Sequence, residues 1–125
     1  MRLYFSDPRL IDQVRIPDRD PAYPLRMYYK YLDQICTVID VDERYRRVRI
    51  KNFVPDLQYR AFGRTESPTF EEYEAFLESR CFPRERDKMK LMLNELGLPF
   101  YDPMLIIGKT KGRMAEDDFS IEIER

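Results

Sequence analysis

Ile35-Cys36-Thr37-Val38-Ile39-Asp40-Val41, then Asp42-Glu43-Arg44-Tyr45, then Arg47-Val48-Arg49-Ile50-Lys51: this stretch decides the fold. In the first run Ile35, Thr37, Ile39 and Val41 alternate with Cys36, Val38 and Asp40, which predicts a strand with one well-buried face. The last run alternates strictly, so Val48 and Ile50 face a core while Arg47, Arg49 and Lys51 face out. Asp42-Glu43-Arg44-Tyr45 joins the two runs, and an antiparallel hairpin is the economical arrangement. Pro55 ends the second strand, because proline cannot donate to a ladder.

Upstream, Leu25 to Tyr31 is rich in residues that suit a pleated surface and predicts another strand. Pro17-Asp18-Arg19-Asp20-Pro21 reads as a turn or exposed loop, each proline fixing its own φ and restraining the residue before it. Arg2 to Phe5 is a candidate short strand.

Downstream the period changes. Thr69-Phe70-Glu71-Glu72 is a capping box, followed by Phe70, Tyr73, Phe76 and Leu77 on one helical face. Cys81-Phe82-Pro83 interrupts that helix, and Pro83 suits the first turn of the next. Met89, Met92, Leu93 and Leu96 form the second apolar stripe, with Gly97 as a left-handed terminator. Asp102-Pro103 has the order of an N-cap and first helical residue, opening a short helix to Lys109 that Gly112 helps to end. Phe119, Ile121 and Ile123 alternate with Ser120, Glu122 and Glu124, a closing strand. The expected class is α+β: an N-terminal antiparallel sheet with a central hairpin, a C-terminal helical segment and a closing strand, all in one domain over residues 1–125.

Length and composition bound the function. The chain has 125 residues, 43% hydrophobic and 36% charged, which fits one globular core and neither a disordered tail nor a membrane protein. No apolar run approaches the roughly 20 residues of a spanning helix, and the N-terminus turns polar too soon for a secretory signal, so a cytoplasmic location is expected. Cys36 and Cys81 stand far apart without CxxC spacing, and are expected as reduced, buried thiols. The chain has no histidine, which excludes Ser-His and Cys-His nucleophile pairs and every His-containing metal site.

The net charge of −1 is unevenly spread. Arg44, Arg46, Arg47, Arg49 and Lys51 make one basic group; Arg80, Arg84, Arg86, Lys88 and Lys90 make another. The first, with Tyr45 beside it, suits either a phosphate backbone or a solvated face whose cations pair with neighbouring acids. Near-neutral net charge weighs against a large nucleic-acid footprint. Arg80, Arg84 and Arg86 surround a helix junction, where they bind an anionic partner, or Arg80 or Arg86 pairs with Asp117 or Asp118 to fix the helices against the closing strand. The run Glu116-Asp117-Asp118 lacks EF-hand spacing. The four glycines form neither GxGxxG nor a P-loop: Gly108-Lys109-Thr110 has Pro103 where the upstream glycine is required.

Four segments of the C-terminal half form a pattern: Phe76-Leu77-Glu78-Ser79-Arg80, Pro83-Arg84-Glu85-Arg86, Leu93-Asn94-Glu95-Leu96-Gly97-Leu98 and Asp117-Asp118-Phe119. Through them Phe70 to Ile123 resembles a small module of bacterial mobile-element proteins, and the stretch at the front of some HipA-like toxin kinases. The module often carries tryptophan where Phe119 or Ser120 stands here. Nothing remains for a kinase domain, so the resemblance implies a stand-alone, non-catalytic version from a phage, plasmid or conjugative element.

The expected function is therefore that of a non-enzymatic protein-binding module, binding or inhibiting a larger host protein or nucleoprotein complex such as a defence (CRISPR-type) effector. Arg44, Tyr45, Arg47, Arg49, Lys51, Arg80, Arg84 and Arg86 are its candidate partner-binding residues, with no cofactor and no metal. Alternatives are a nucleic-acid-binding regulator using the Arg44–Lys51 strand, a toxin–antitoxin accessory protein, and, last, a metal-dependent nuclease using Asp117 and Asp118.

Overall fold

The computed structural model describes residues 16–82 and 88–125. The expected Arg2–Phe5 strand and the helix start at Pro83 lie outside them. Three strands follow one another as an antiparallel meander, β1 (Leu25–Tyr31), β2 (Gln34–Asp42) and β3 (Arg47–Asn52). After a 3-10 turn at Leu57–Tyr59, the described residues form three α-helices: α1 (Phe70–Ser79), α2 (Met89–Leu96) and α3 (Pro103–Thr110). The last strand, β4 (Phe119–Glu124), returns to pair antiparallel with β1, giving the order β3-β2-β1-β4. The fold is α+β, with the expected hairpin and closing strand in place.

The meander is held by short connections. Leu32 and Asp33 alone join β1 to β2; Leu32 takes a left-handed φ of 53° and donates its N–H to the Asp118 carbonyl at 3.0 Å. Between β2 and β3, Arg46 takes φ 54° while the Asp42 carboxylate accepts from the Tyr45 N–H at 3.4 Å. Side chains that hydrogen-bond their own turn in this way fix the hairpin register.

β2 differs from its expected one-sided burial. Tyr29 pairs with Thr37 and Lys30 with Ile35, so Cys36 is an extra residue in a bulge. The bulge turns Cys36 into the same core as Ile39 and Val41. Residues Cys36 to Asp42 are all buried, Asp40 and Asp42 included. Acids survive burial there because arginines meet them, as described below.

The expected caps form at the start of α1, the end of α2 and the start of α3, whereas α2 begins after a left-handed Lys88 with no side-chain cap. The Thr69 hydroxyl accepts from the Glu72 N–H at 3.1 Å and the Glu72 carboxylate from the Thr69 N–H at 2.8 Å, completing the capping box. Gly97, at φ 74°, closes α2, and Leu98 N–H reaches back to the Leu93 carbonyl at 2.8 Å. Asp102 caps α3 through the Met104 N–H at 2.9 Å. The helices bury Tyr73, Phe76, Leu77, Leu93, Ile106 and Ile107 against the inner face of the sheet, where Leu25, Met27, Tyr29, Ile39, Val41 and Ile121 meet them. Full burial of each such side chain stabilises by roughly 1.5–3 kcal/mol. At the β4 side Tyr29 stacks on Phe119 with ring centres 4.7 Å apart and meets Phe76 edge-on at 5.2 Å. Burial pushes the Tyr29 phenol up to about 12.

Candidate partner-binding face

The outer face of the sheet is a lattice of charges. Arg26 on β1 is 1% exposed and grips Asp40 on β2 with two bonds, Nε to Oδ1 at 2.7 Å and Nη2 to Oδ2 at 3.0 Å. Its Nη1 donates to the Pro17 carbonyl at 2.6 Å, and Nη2 also reaches the Asp18 carbonyl at 3.3 Å. The segment expected as an exposed turn thus lies partly against the sheet, tied down by a buried guanidinium. Its local turn is present, with the Tyr23 N–H donating to the Asp20 carbonyl at 2.8 Å. The hydrogen bond to Asp40 raises the Arg26 pKa further, against the opposing effect of burial.

The hairpin cations join this lattice. Arg49 reaches Asp40 at 3.3 Å and Asp20 at 3.2 Å. Arg47 meets its cross-strand partner Asp42 at 3.1 Å through Nε and 2.7 Å through Nη2, and this pairing holds the Asp42 carboxyl below its ordinary range. Both guanidiniums lie over the Tyr23 ring, 5.1 Å from its centre for Arg47 and 4.4 Å for Arg49. Even so, the two side chains remain 49% and 44% exposed. Lys51 is exposed, with its ammonium 5.6 Å from the Phe53 ring centre.

The turn itself, residues 43–46, is exposed throughout. Tyr45 is 64% exposed, with the guanidiniums of Arg44 and Arg47 at 5.4 and 5.7 Å from its ring centre. Arg46 folds the other way, over the Phe70 ring at 4.5 Å and onto Glu71 at 3.0 Å, and so fastens the turn to α1.

Arg80 belongs to a different place. It stands at the C-terminal cap of α1, 7% exposed, and makes a two-pronged pair with Asp117 at 2.9 and 3.0 Å. It also donates to the carbonyls of Gly112 at 3.0 Å and Phe119 at 3.2 Å. This is the expected pairing of a junction arginine with the acids before the closing strand. β3 and β4 are opposite edges of the sheet, about 14 Å apart at ordinary strand spacing, so Arg80 does not share a surface with the hairpin. Arg84 and Arg86 lie outside the described residues.

Five of the named residues therefore gather on one hairpin, and Arg80 is part of the framework. The acids that complete the lattice, Asp20, Asp40 and Asp42, were not singled out from the sequence. Their signal was present, since a four-residue turn sets Asp42 opposite Arg47 and Asp40 opposite Arg49.

A cleft of about 730 Å³ opens between α1 and the start of α3, lined by Phe70, Tyr73, Glu74, Tyr101 and Met104 among others. Several of its polar groups are engaged: Asp102 caps α3, Arg125 lies 3.7 Å from Glu43, and Glu74 lies 3.7 Å from Arg46. Burial raises the Tyr73 phenol above its ordinary value. Both cysteines are buried thiols outside any disulfide, and burial pushes Cys81 up to about 11. Among the described residues no three His, Cys, Asp or Glu side chains gather where a metal ion would sit, and no helix is long and apolar enough to cross a membrane.

Compared with family models, with curated proteins and with solved structures, the chain matches none.

Proposed function

We propose that the chain is a non-enzymatic protein-binding module that engages a larger partner through the tip of the β2–β3 hairpin. One observation carries this reading: Tyr45 projects into solvent between two arginines, at the end of a turn braced from both sides. Tyrosine and arginine are, with tryptophan, enriched among interface anchors, and an anchor held in place before binding loses little freedom on docking. The resemblance of the C-terminal half to a mobile-element module supports a host protein as the target, and a defence effector as the kind of target such an element would restrain.

The phosphate-backbone reading of the same strand has less support. Arg47 and Arg49 are already matched by Asp42, Asp40 and Asp20, so fewer counterions would be released on contact with nucleic acid.

The test is an affinity capture from bacterial lysate with and without nuclease, run beside Tyr45→Ala and Arg44→Ala. A nuclease-resistant protein partner, weakened at least tenfold by Tyr45→Ala, is expected. Recovery of nuclease-sensitive material alone would replace this reading with nucleic-acid binding.

A further inference from the structure

The direction of the main chain can be followed across the sheet. On β4 the Ile121 N–H points away from β1, since it donates to the Lys111 carbonyl at 2.7 Å. Neighbouring residues of a strand point their main-chain groups to opposite sides, so Glu122 faces Tyr28, and the phase carries through β1 and β2. It ends with Arg47 and Arg49 facing β2, and with Val48 and Ile50 pointing off the sheet. The Phe53 N–H, which donates to the Cys36 carbonyl at 2.8 Å, fixes the same phase independently. Among the described residues, the N–H and C=O groups of Val48 and Ile50 meet no main-chain partner.

This edge therefore offers a two-residue repeat of open ladder positions. Its outer flank carries half-exposed guanidiniums, and its inner flank the half-buried Val48 and Ile50. Arg47 uses Nε and Nη2 on Asp42, which leaves Nη1 as a donor. A strand laid alongside would place its own side chains about 5 Å from these. An acid would meet the Arg47 Nη1 that Asp42 leaves unused, and apolar residues would extend the core beside Val48 and Ile50.

We infer that the edge of β3, open among the described residues, docks an extended segment of a partner protein in which acidic and apolar residues alternate. The sheet already accepts one strand of that kind: β4, Phe119-Ser-Ile-Glu-Ile-Glu124, closes the other edge with Glu122 on Lys30 at 2.6 Å and Ile121 in the core. A second copy of the chain fits poorly. Two β3 edges about a two-fold axis would oppose cation to cation, and the free side of β4 is occupied from Phe119 to Ile121 by Asp117, Arg80 and Lys111. The inference rests on the protein-binding reading and adds the route by which the partner's chain is held.

The probe is a capped peptide copying residues 119–124, titrated into the isotope-labelled full chain and followed by amide NMR. Shifts and slowed exchange at the Val48 and Ile50 amides are expected. Binding should fall at least tenfold when the peptide's edge-facing amides are N-methylated, or when both its glutamates become lysine. Val48→Pro should do the same, since it removes an N–H that serves no internal bond. An unperturbed β3 at millimolar peptide, or equal binding by the lysine peptide, would overturn the inference. So would sedimentation showing self-association that Val48→Pro abolishes, which would give the edge to a second copy. A Val48→Pro chain that still captures the Tyr45-dependent partner from lysate would remove the edge and leave the hairpin tip standing. If wild type captures no partner, the hairpin reading falls and the titration still decides the edge.

Discussion

Arg80 and Asp117, 37 residues apart, form a two-pronged pair that locks the end of α1 to the chain entering β4. The guanidinium is buried and also holds two carbonyls, so its removal strands an acid and two acceptors at once. Arg80→Ala should cost about 3–5 kcal/mol of unfolding free energy, read from urea melts. A loss below about 1 kcal/mol would show that the pair is decorative.

The same pair makes stability depend on pH. Arg80's hydrogen bonds hold the Asp117 carboxyl below the ordinary carboxylate range. Its contribution is therefore complete above its unfolded value, near pH 4, and is lost as pH falls through the depressed folded value. Urea melts of wild type and Asp117→Asn should differ at neutral pH and converge toward acid. Parallel curves down to the lowest measurable pH would contradict this.

Arg26 and Asp40 invite a double-mutant cycle. Arg26→Met leaves Asp40 buried and should cost about 3–5 kcal/mol, while Arg26→Met with Asp40→Leu should recover part of it. A double variant worse than the sum of the singles would contradict this account.

Two glycines separate strain from crowding. Gly97 has φ 74° and open space around it, so Gly97→Ala should cost only the left-handed strain, about 1 kcal/mol. Gly112 has φ 63°, and a Cβ there would sit 3.1 Å from Ile121 Cγ1 and Cδ1. Gly112→Ala should cost about 2–4 kcal/mol, strain and overpacking together. Equal melting temperatures for the two variants would sink the distinction.

The thiol of Cys81, raised to about 11 and buried, should resist a disulfide reagent at pH 8 in the folded chain. Cys36 is shielded as completely. Both should react on adding denaturant, and rapid labelling of either without it would refute the burial.

Much of this architecture was legible from local chemistry. Leu25–Tyr31, the hairpin, the Thr69 capping box, the Asp102-Pro103 helix start and the closing alternation all appear where periodicity and caps put them. Such signals act within a few residues. The bulge at Cys36 was not legible, because an extra residue leaves no mark where its neighbours Ile35 and Val38 on both alternating sets are apolar. Arg26 looked like one residue of a strand rather than a buried anchor, since its ligands Pro17, Asp18 and Asp40 are assembled only by the sheet. For the candidate site, charge alone grouped Arg80 with surface cations; burial separated it from Arg47 and Arg49.

The return of β4 has a consequence for how the chain assembles. β1, β2 and β3 meet neighbours across turns of a few residues, whereas Tyr28 waits for Glu124, 96 positions later. Closing so long a loop costs entropy before any contact rewards it, so the meander should form early and β4 should dock in the slow phase of folding. During synthesis, a nascent chain that has not yet released residues 119–124 exposes β1 as a second raw edge, and that interval is when aggregation threatens most.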